Sequence, residues 1–385
     1  MKKVGLLLTI FSTHTHEAMR GIATYAGRYG AWQIYTRPQT TFGFLPDLEH
    51  ADLDGLIAYQ QPHTDVEPLL RRGVPVVNMS TRVVPLPQVS VVSDSQALGR
   101  LGAAHLLERG FRKLAFCGFE NEPFSRDRLL GFQAGVREAG LELAVWLDPG
   151  GPSAAPWPAE RLAALDRWLR SLPAPVGVMA CNDTWGQQVL AACSRAGLTV
   201  PEQVAVLGID NDDVICNLTN PPLSSIDRNV YQLGYEAAAL LDRLMAGEAP
   251  PTTPMLLPPR RVVARRSTDV LAIEDEQVRE AVAFIRANYA SPIAVKHVCD
   301  AVTSARSSLL RRFQHQLGTS PARLINQHRI NQARELLVET DADMPSIATA
   351  CGFANANHFS TVFRRLAGMP PTQYRKESRG QNVQS

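Results

Sequence analysis

From Lys3 to roughly Pro259 the chain alternates short, wholly apolar runs with longer amphipathic stretches, and this alternation limits the fold more than any other feature. The runs "VGLLLTI", "LDGLIAY", "GVPVVNM", "VSVVS", "KLAFCGF", "VGVMAC" and "VAVLGID" have strand length and no polar face. Strands covered on both sides read this way. Between several of them lie helical patterns such as "SQALGRLGAAHLLERG" and "DRLLGFQAGVREAG", each ending at a glycine suited to the left-handed position after a helix. Strands interleaved with helices predict a parallel α/β sheet, repeated enough times for two lobes.

The alternation stops at "EAPPTTPMLLPPRRVVARR", Glu248 to Arg266, which is proline-rich and then basic. From Val278 every segment reads as helix, and the charge changes with it. Residues 1–277 hold 25 Lys/Arg against 30 Asp/Glu, whereas residues 278–385 hold 14 against 7. A basic module on an acidic body suits a polyanion partner for the module alone. The expected boundaries are a body over 1–267, a linker over 268–277, a helical domain over 278–379 and a disordered tail over 380–385.

Within the helical domain, "PSIATACGFANANHFSTVFRRLAG" divides into two short helices. Ile347, Ala348 and Cys351 point inward on the first, Gly352 turns the chain, and Asn355 caps the second. Phe359, Val362, Phe363 and Leu366 then form an apolar stripe at i, i+3, i+4, i+7. The opposite face carries Asn357, Ser360, Thr361 and Arg364, the arrangement that presents a recognition helix to a DNA major groove. "IAVKHVCDAV" and "ARSSLLRRFQHQLG" repeat the pattern. Leu309, Phe313 and Leu317 make its core stripe, with Arg306, Ser307, Leu310, Arg311 and Gln314 toward the other side. The helix "SPARLINQHRINQARELLVET", capped by Ser320 with Pro321 first, would set the spacing of the two units.

In the body, Asp94, Asn182, Asp183 and Asp210 stand at the carboxyl ends of strands, where open α/β sheets bind ligands, and Arg126 opens a following helix. Carboxylates, an amide and a guanidinium fork suit sugar hydroxyls. Each of these residues alone also fits a helix cap or a surface charge; their shared position favours a common cleft.

Several classes are disfavoured. The six cysteines are scattered among apolar neighbours without metal-ligand spacing, as in a reducing, cytoplasmic compartment. The first apolar run has strand length, and no later segment approaches about 20 apolar residues. His14 and His16 lack a third ligand at recognisable spacing, and Asp212 and Asp213 are adjacent rather than flanking, so neither a metal, a cofactor nor an enzyme is expected.

The stretch "IATACGFANANHFSTVFRRLAGMPPTQYR" resembles the AraC/XylS family of transcription regulators in its I-A, G-F, F-x-x-x-F-R-R and G-x-x-P-x-x-Y-R positions. The first unit departs from that family at Cys299, Thr303 and Ala305, where alanine, glycine and serine are common, and Ser304 is expected to cap instead. The outward Leu310 is also unusual, fitting either a thymine methyl or a neighbouring domain. The body is similar to the LacI-type regulator core and to periplasmic sugar-binding proteins, through "VSDSQALGRLGAAHLLERGFRKLAFCG", "SRDRLLGF", "CNDTWGQQVL" and "VLGIDNDD". That resemblance implies ligand contacts at Asp94, Arg126, Asn182, Asp183 and Asp210, with Trp185 and Phe11 as stacking faces for a sugar ring.

Together the resemblances imply a two-lobed type I periplasmic-binding-protein-like α/β sensor joined to an all-α domain with two helix-turn-helix motifs. The order of the two, with "LSSIDRNVYQLGYEAAALLDRLM", is similar to bacterial regulators of pentose use. It implies D-xylose or a related monosaccharide as ligand, an operator duplex, a homodimer and contact with RNA polymerase.

Overall fold

The computed structural model describes residues 1–8, 13–30, 32–36, 52–62, 64–150, 158–270, 272–273 and 275–378. The first lobe begins with β1 (Lys2–Leu7), α1 (Thr13–Tyr29), β2 (Trp32–Thr36), β3 (Gly55–Ala58), α2 (Glu67–Arg71), β4 (Val76–Asn78) and β5 (Val91–Ser93). The chain then crosses to build α3 (Ser95–Glu108), β6 (Leu114–Phe119), α4 (Pro123–Glu138), β7 (Leu143–Asp148), α5 (Ala159–Ser171), β8 (Val176–Ala180), α6 (Asp183–Ala196), β9 (Val204–Ile209), α7 (Asp213–Leu218) and β10 (Ser224–Asp227). It returns for α8 (Val230–Met245) and β11 (Met255–Leu257), and crosses a third time to β12 (Arg261–Val263).

The first-lobe sheet runs β2-β1-β3-β4 and is continued by a parallel bridge from Asn78 to Ser90 into the pair β5-β11. The second-lobe sheet runs β12-β10-β9-β8-β6-β7, parallel except for β12. All seven apolar runs are strands, as their lack of a polar face predicts. β7 was not legible because it is a half-exposed edge, and β10 because its buried Ser224 and Ser225 carry hydrogen bonds instead of apolar bulk.

Close backbone approach assigns α8 to the first lobe. A Cβ on Gly21 of α1 would lie 2.0 Å from Tyr231 O, and one on Gly234 of α8 2.0 Å from Ala18 O. Only glycine permits helices this near.

The helical domain comprises α9 (Glu276–Asn288), α10 (Val295–Ala301), α11 (Arg306–Leu317), α12 (Pro321–Glu339), α13 (Met344–Ala350), α14 (Ala356–Ala367) and α15 (Pro371–Ser378). It has two cores, one around Leu309 and Phe313 and one around Phe359 and Phe363. Arg329 of α12 joins them: it donates to Tyr289 O, Ser291 O and Ile293 O at 2.8, 2.8 and 3.0 Å and lies over the Phe353 ring.

Within the segment expected as a linker, 268–277, Thr268 and Ile273 are buried. Ser267 and Thr268 are fully buried in the second lobe, Ser267 Oγ donates to Val206 O at 2.6 Å, and Ala272 N donates to Arg109 O at 2.7 Å. α9 begins at Glu276, where Asp275 accepts from Val278 N at 3.1 Å. The expected tail over 380–385 lies outside the described residues. Among those described, no helix is long and apolar enough to cross a membrane.

The turn of the first unit departs from expectation, because α11 is preceded by Ala305 with no side-chain cap, so Ser304 does not take that role. Thr303 sits at φ 48°, a left-handed conformation that opposes its branched Cβ. Relief of roughly 1–2 kcal/mol of such strain exceeds the roughly 0.5–1 kcal/mol of chain entropy that glycine adds. Thr303→Gly is therefore expected to raise the unfolding midpoint of the full chain's helical domain in a thermal melt, and Thr303→Val to lower it.

Candidate functional site

The two lobes face each other across a cleft of about 290 Å³ at the carboxyl ends of their strands, close to the lower end of the roughly 300–1,000 Å³ of small-molecule sites. The first lobe supplies Thr15, Tyr59, Gln61 and Arg82, the second Phe124, Arg128, Asn182 and Asp210. Arg228, on the second crossover, lies between them.

Arg128 is 2% exposed, on the inward stripe of α4 with Ser125, Phe132 and Val136. Its guanidinium donates to Cys181 O, stands 3.7 Å from Asp210 and lies over the Phe124 ring, while its Nε has no hydrogen-bond partner among the described residues. Arg228 Nε is 2.9 Å from the same Asp210 carboxylate, and Arg228 also bonds the Tyr59 hydroxyl of the first lobe. Asp210 has φ 123° and Asn211 φ 52°, two strained residues in succession at the end of β9. Strain of this kind persists where surrounding bonds over-determine it: Asn211 N donates to Ser225 Oγ at 2.9 Å and Arg265 to Asn211 Oδ1 at 3.0 Å.

The seven sequence-derived ligand positions separate accordingly. Asn182 and Asp210 line the cleft. Asn182 Oδ1 accepts from Trp185 N at 2.9 Å, so its amide nitrogen is what it can offer a ligand. Asp183 is buried behind the cleft, accepting from Ser225 Oγ at 2.5 Å and Asp212 N at 2.8 Å. Burial first, then the Asp210 charge, pushes its carboxyl up to about 7.

Asp94 caps α3 through Ala97 N at 2.9 Å and faces away from the cleft. Trp185 is fully buried against Phe119 and Trp146 at 5.4 and 5.2 Å between ring centroids, so it offers no face to a ligand. Arg126 is exposed on α4, two residues from the arginine that does line the cleft. The signal for Arg128 was the helical spacing Ser125, Arg128, Phe132, from which Arg126 is out of phase. Phe11 lies outside the described residues. Asp212 caps α7, and Asp213 pairs with Arg265 at 3.6 Å, so the two acids serve different structural bonds.

In the helical domain the outward faces are as the spacing predicts. Arg306, Ser307, Arg311 and Gln314 of α11 are exposed and Leu310 is half-buried. Asn357, Thr361 and Arg364 of α14 are exposed and Ser360 is half-buried. Gly352 turns the chain at φ 76°, and Asn355 Oδ1 accepts from His358 N at 2.8 Å. Between the units α12 has 19 residues, about 28 Å at 1.5 Å per residue.

A model for a periplasmic binding protein-like domain matches residues 103–268, and one for a helix-turn-helix domain matches residues 298–377. The xylose operon regulatory protein of Escherichia coli K12 is 33% identical over 97% of this chain and 96% of its own length. That of Haemophilus influenzae is 29% identical over 97% and 98%. A solved structure titled as the xylose-binding transcription activator xylR covers 98% of both chains, with TM-score 0.60 and 29% identity. A ribose-bound LacI family regulator from Enterococcus faecium covers 69% of this chain with TM-score 0.56 at 23% identity, a likeness of fold.

The cleft is also bridged at its mouth. Arg82 of the first lobe meets Glu122 of the second through two bonds, Nη2 to Oε1 at 2.6 Å and Nε to Oε2 at 3.0 Å. Bidentate geometry with a buried carboxylate raises this pair above an ordinary surface bridge. A double-mutant cycle on Arg82→Ala and Glu122→Ala in denaturant unfolding is expected to give a coupling of about 1 kcal/mol. The charge-swapped pair Arg82→Glu with Glu122→Arg is expected to recover part of it.

Proposed function

The chain belongs to the xylose operon regulatory protein family, and on that premise we propose that it is a D-xylose-responsive activator of pentose-utilisation genes with no enzymatic role. The observation that carries this reading is the pairing, in one chain, of a cleft lined by carboxylate, amide and guanidinium groups with two outward polar helix faces joined by the 19-residue α12.

In the cleft, Asp210 stands between Arg128 and Arg228, where its carboxylate can accept from adjacent sugar hydroxyls. Arg128 and the Asn182 amide donate, and Phe124 offers an apolar face to the ring carbons in the place first assigned to Trp185. A ligand that bonds Asp210 and Arg128 on one side and Tyr59 or Gln61 on the other binds the closed cleft best, and so shifts the lobes toward closure. Asn357, Ser360, Thr361 and Arg364 read one groove face, and Arg306, Ser307, Leu310, Arg311 and Gln314 the next. A homodimer, matching paired half-sites, and contact with RNA polymerase complete the proposal.

Thermal shift with a panel of pentoses and hexoses tests the ligand, since binding raises the melting temperature by mass action. D-xylose is expected to give the largest shift. Arg128→Ala is expected to weaken it by roughly 1.5–3 kcal/mol, ten-fold or more, while Arg126→Ala leaves it near wild type. Equal loss in both variants would refute the pocket. Arg364→Ala is expected to leave the sugar shift intact and to weaken binding to a duplex selected by the full chain, changing the salt slope by about one if it contacts phosphate.

A further inference from the structure

The turn after β9 carries Asp210 into the cleft through two successive positive-φ residues, Asp210 at 123° and Asn211 at 52°. Neither has glycine's freedom, so bonds from outside the turn must hold it. Those bonds converge on Asp183, which is 1% exposed at the start of α6. Its Oδ2 accepts from Asp212 N at 2.8 Å and from Cys216 Sγ at 3.4 Å. Its Oδ1 accepts from Ser225 Oγ at 2.5 Å, and Ser225 Oγ accepts in turn from Asn211 N at 2.9 Å. One carboxylate thus fixes both backbone N–H groups that follow Asp210, one directly and one through a buried hydroxyl. The strand leaves room for it: a Cβ on Gly208 of β9 would lie 2.2 Å from Asp183 Oδ1.

We propose that Asp183 is a positioning residue, which never meets the ligand but sets Asp210 for it, and which does so best as a carboxylate with both oxygens accepting. This rests on the sugar reading of the cleft and adds a residue behind it on which affinity depends. A proton on Oδ1 would donate to Ser225 Oγ and leave the Ser225 hydrogen without its acceptor, while a proton on Oδ2 would oppose the Asp212 N–H. Either one loosens the turn.

Burial first, then the Asp210 charge, puts this carboxyl at about 7, so the loosening falls in the neutral range. The groups that face it are Asp210 and Asp212 on the turn, Cys216 of α7, Arg128 of α4 and Arg228 of the second crossover. A sugar hydroxyl donating to Asp210 draws that charge away from Asp183, so the bound state favours the ionised form and affinity rises with pH. Stability of the sugar-free chain moves the other way. The folded-state value lies above the ordinary 3.8, so the stability this group contributes is present in acid and lost as pH rises through about 7. A residue serving stability alone would make affinity follow stability; opposite slopes mark positioning.

The test titrates D-xylose into the full chain from about pH 5.5 to about pH 8.5, with melts of the sugar-free chain alongside. Wild-type affinity is expected to fall several-fold on acidification. Asp183→Asn keeps the shape, cannot titrate and reverses the Ser225 bond, so it is expected to bind at every pH as weakly as wild type does in acid. Any slope left in that variant belongs to the other facing groups. Ser225→Ala, which cuts the link to Asn211, is expected to weaken binding about ten-fold. Hydrogen exchange over residues 209–213 without sugar, near pH 8.5, is expected to be faster in both variants than in wild type. Equal profiles for wild type and Asp183→Asn, or affinity that rises with the melting temperature on acidification, would overturn the positioning role. If no sugar raises the melting temperature, the sugar reading falls and exchange decides: faster in both variants, the hold on the turn stands; unchanged, it falls too.

Discussion

Everything beyond residue 265 depends on one buried polar relay in the second lobe. Arg109 is a permanent donor, so His105 Nδ1, 3.0 Å from it, must accept. That leaves His105 Nε2 as the N–H that meets Thr268 Oγ1 at 3.0 Å; Thr268 then donates to Ser224 Oγ, and Ser224 to Arg265 O. Burial, with the charges of Arg109 and Arg286 adding to it, holds the His105 imidazolium well below its usual range, so the ring stays neutral and keeps this direction of donation. Arg109 closes the relay by donating to Thr268 O at 2.7 Å. Every polar group in it has a partner, the condition under which a buried network gives rigidity rather than cost. The point where the chain leaves the α/β body is thereby as firm as a core strand, and the helical domain inherits a defined origin.

How much of this was legible follows from what each signal measures. Apolar runs report burial on both faces, so the central strands were plain, whereas β10 hides behind serines whose value is their hydroxyls. Helical phase reports which side chains turn inward, and it is accurate to about one residue in three or four. It found the stripes Leu309, Phe313, Leu317 and Phe359, Val362, Phe363, Leu366, all buried but the half-buried Leu366. Applied to α4, the same phase points to Arg128. Position at a helix start pointed instead to Arg126, a cue that carries no orientation. Trp185 illustrates the same limit, because a strand-end location suits a ligand contact but its phase with Val189 and Cys193 turns it into the core.

The arginines divide by the same logic of what surrounds the head group. Arg329 and Arg375 donate to carbonyls at the ends of neighbouring segments, and Arg312 holds Asp275 at the start of α9. These stems and forks serve as struts. Arg306, Arg311 and Arg364 stand exposed, so the basic excess of the helical domain is partly structural and only partly available to a polyanion.

The single-residue step at the first crossover has an evolutionary consequence. One residue inserted or removed between β5 and α3 would take Asp94 from the cap position of α3, where it accepts from Ala97 N at 2.9 Å, and shift the cleft-lining Ser93 relative to Ser95. Such a change leaves composition and hydropathy nearly untouched, yet it would disturb the helix cap and the cleft lining at once. The length of this connection is therefore a constraint separate from its residue types, and divergence within such sensors should proceed there by substitution and elsewhere by insertion.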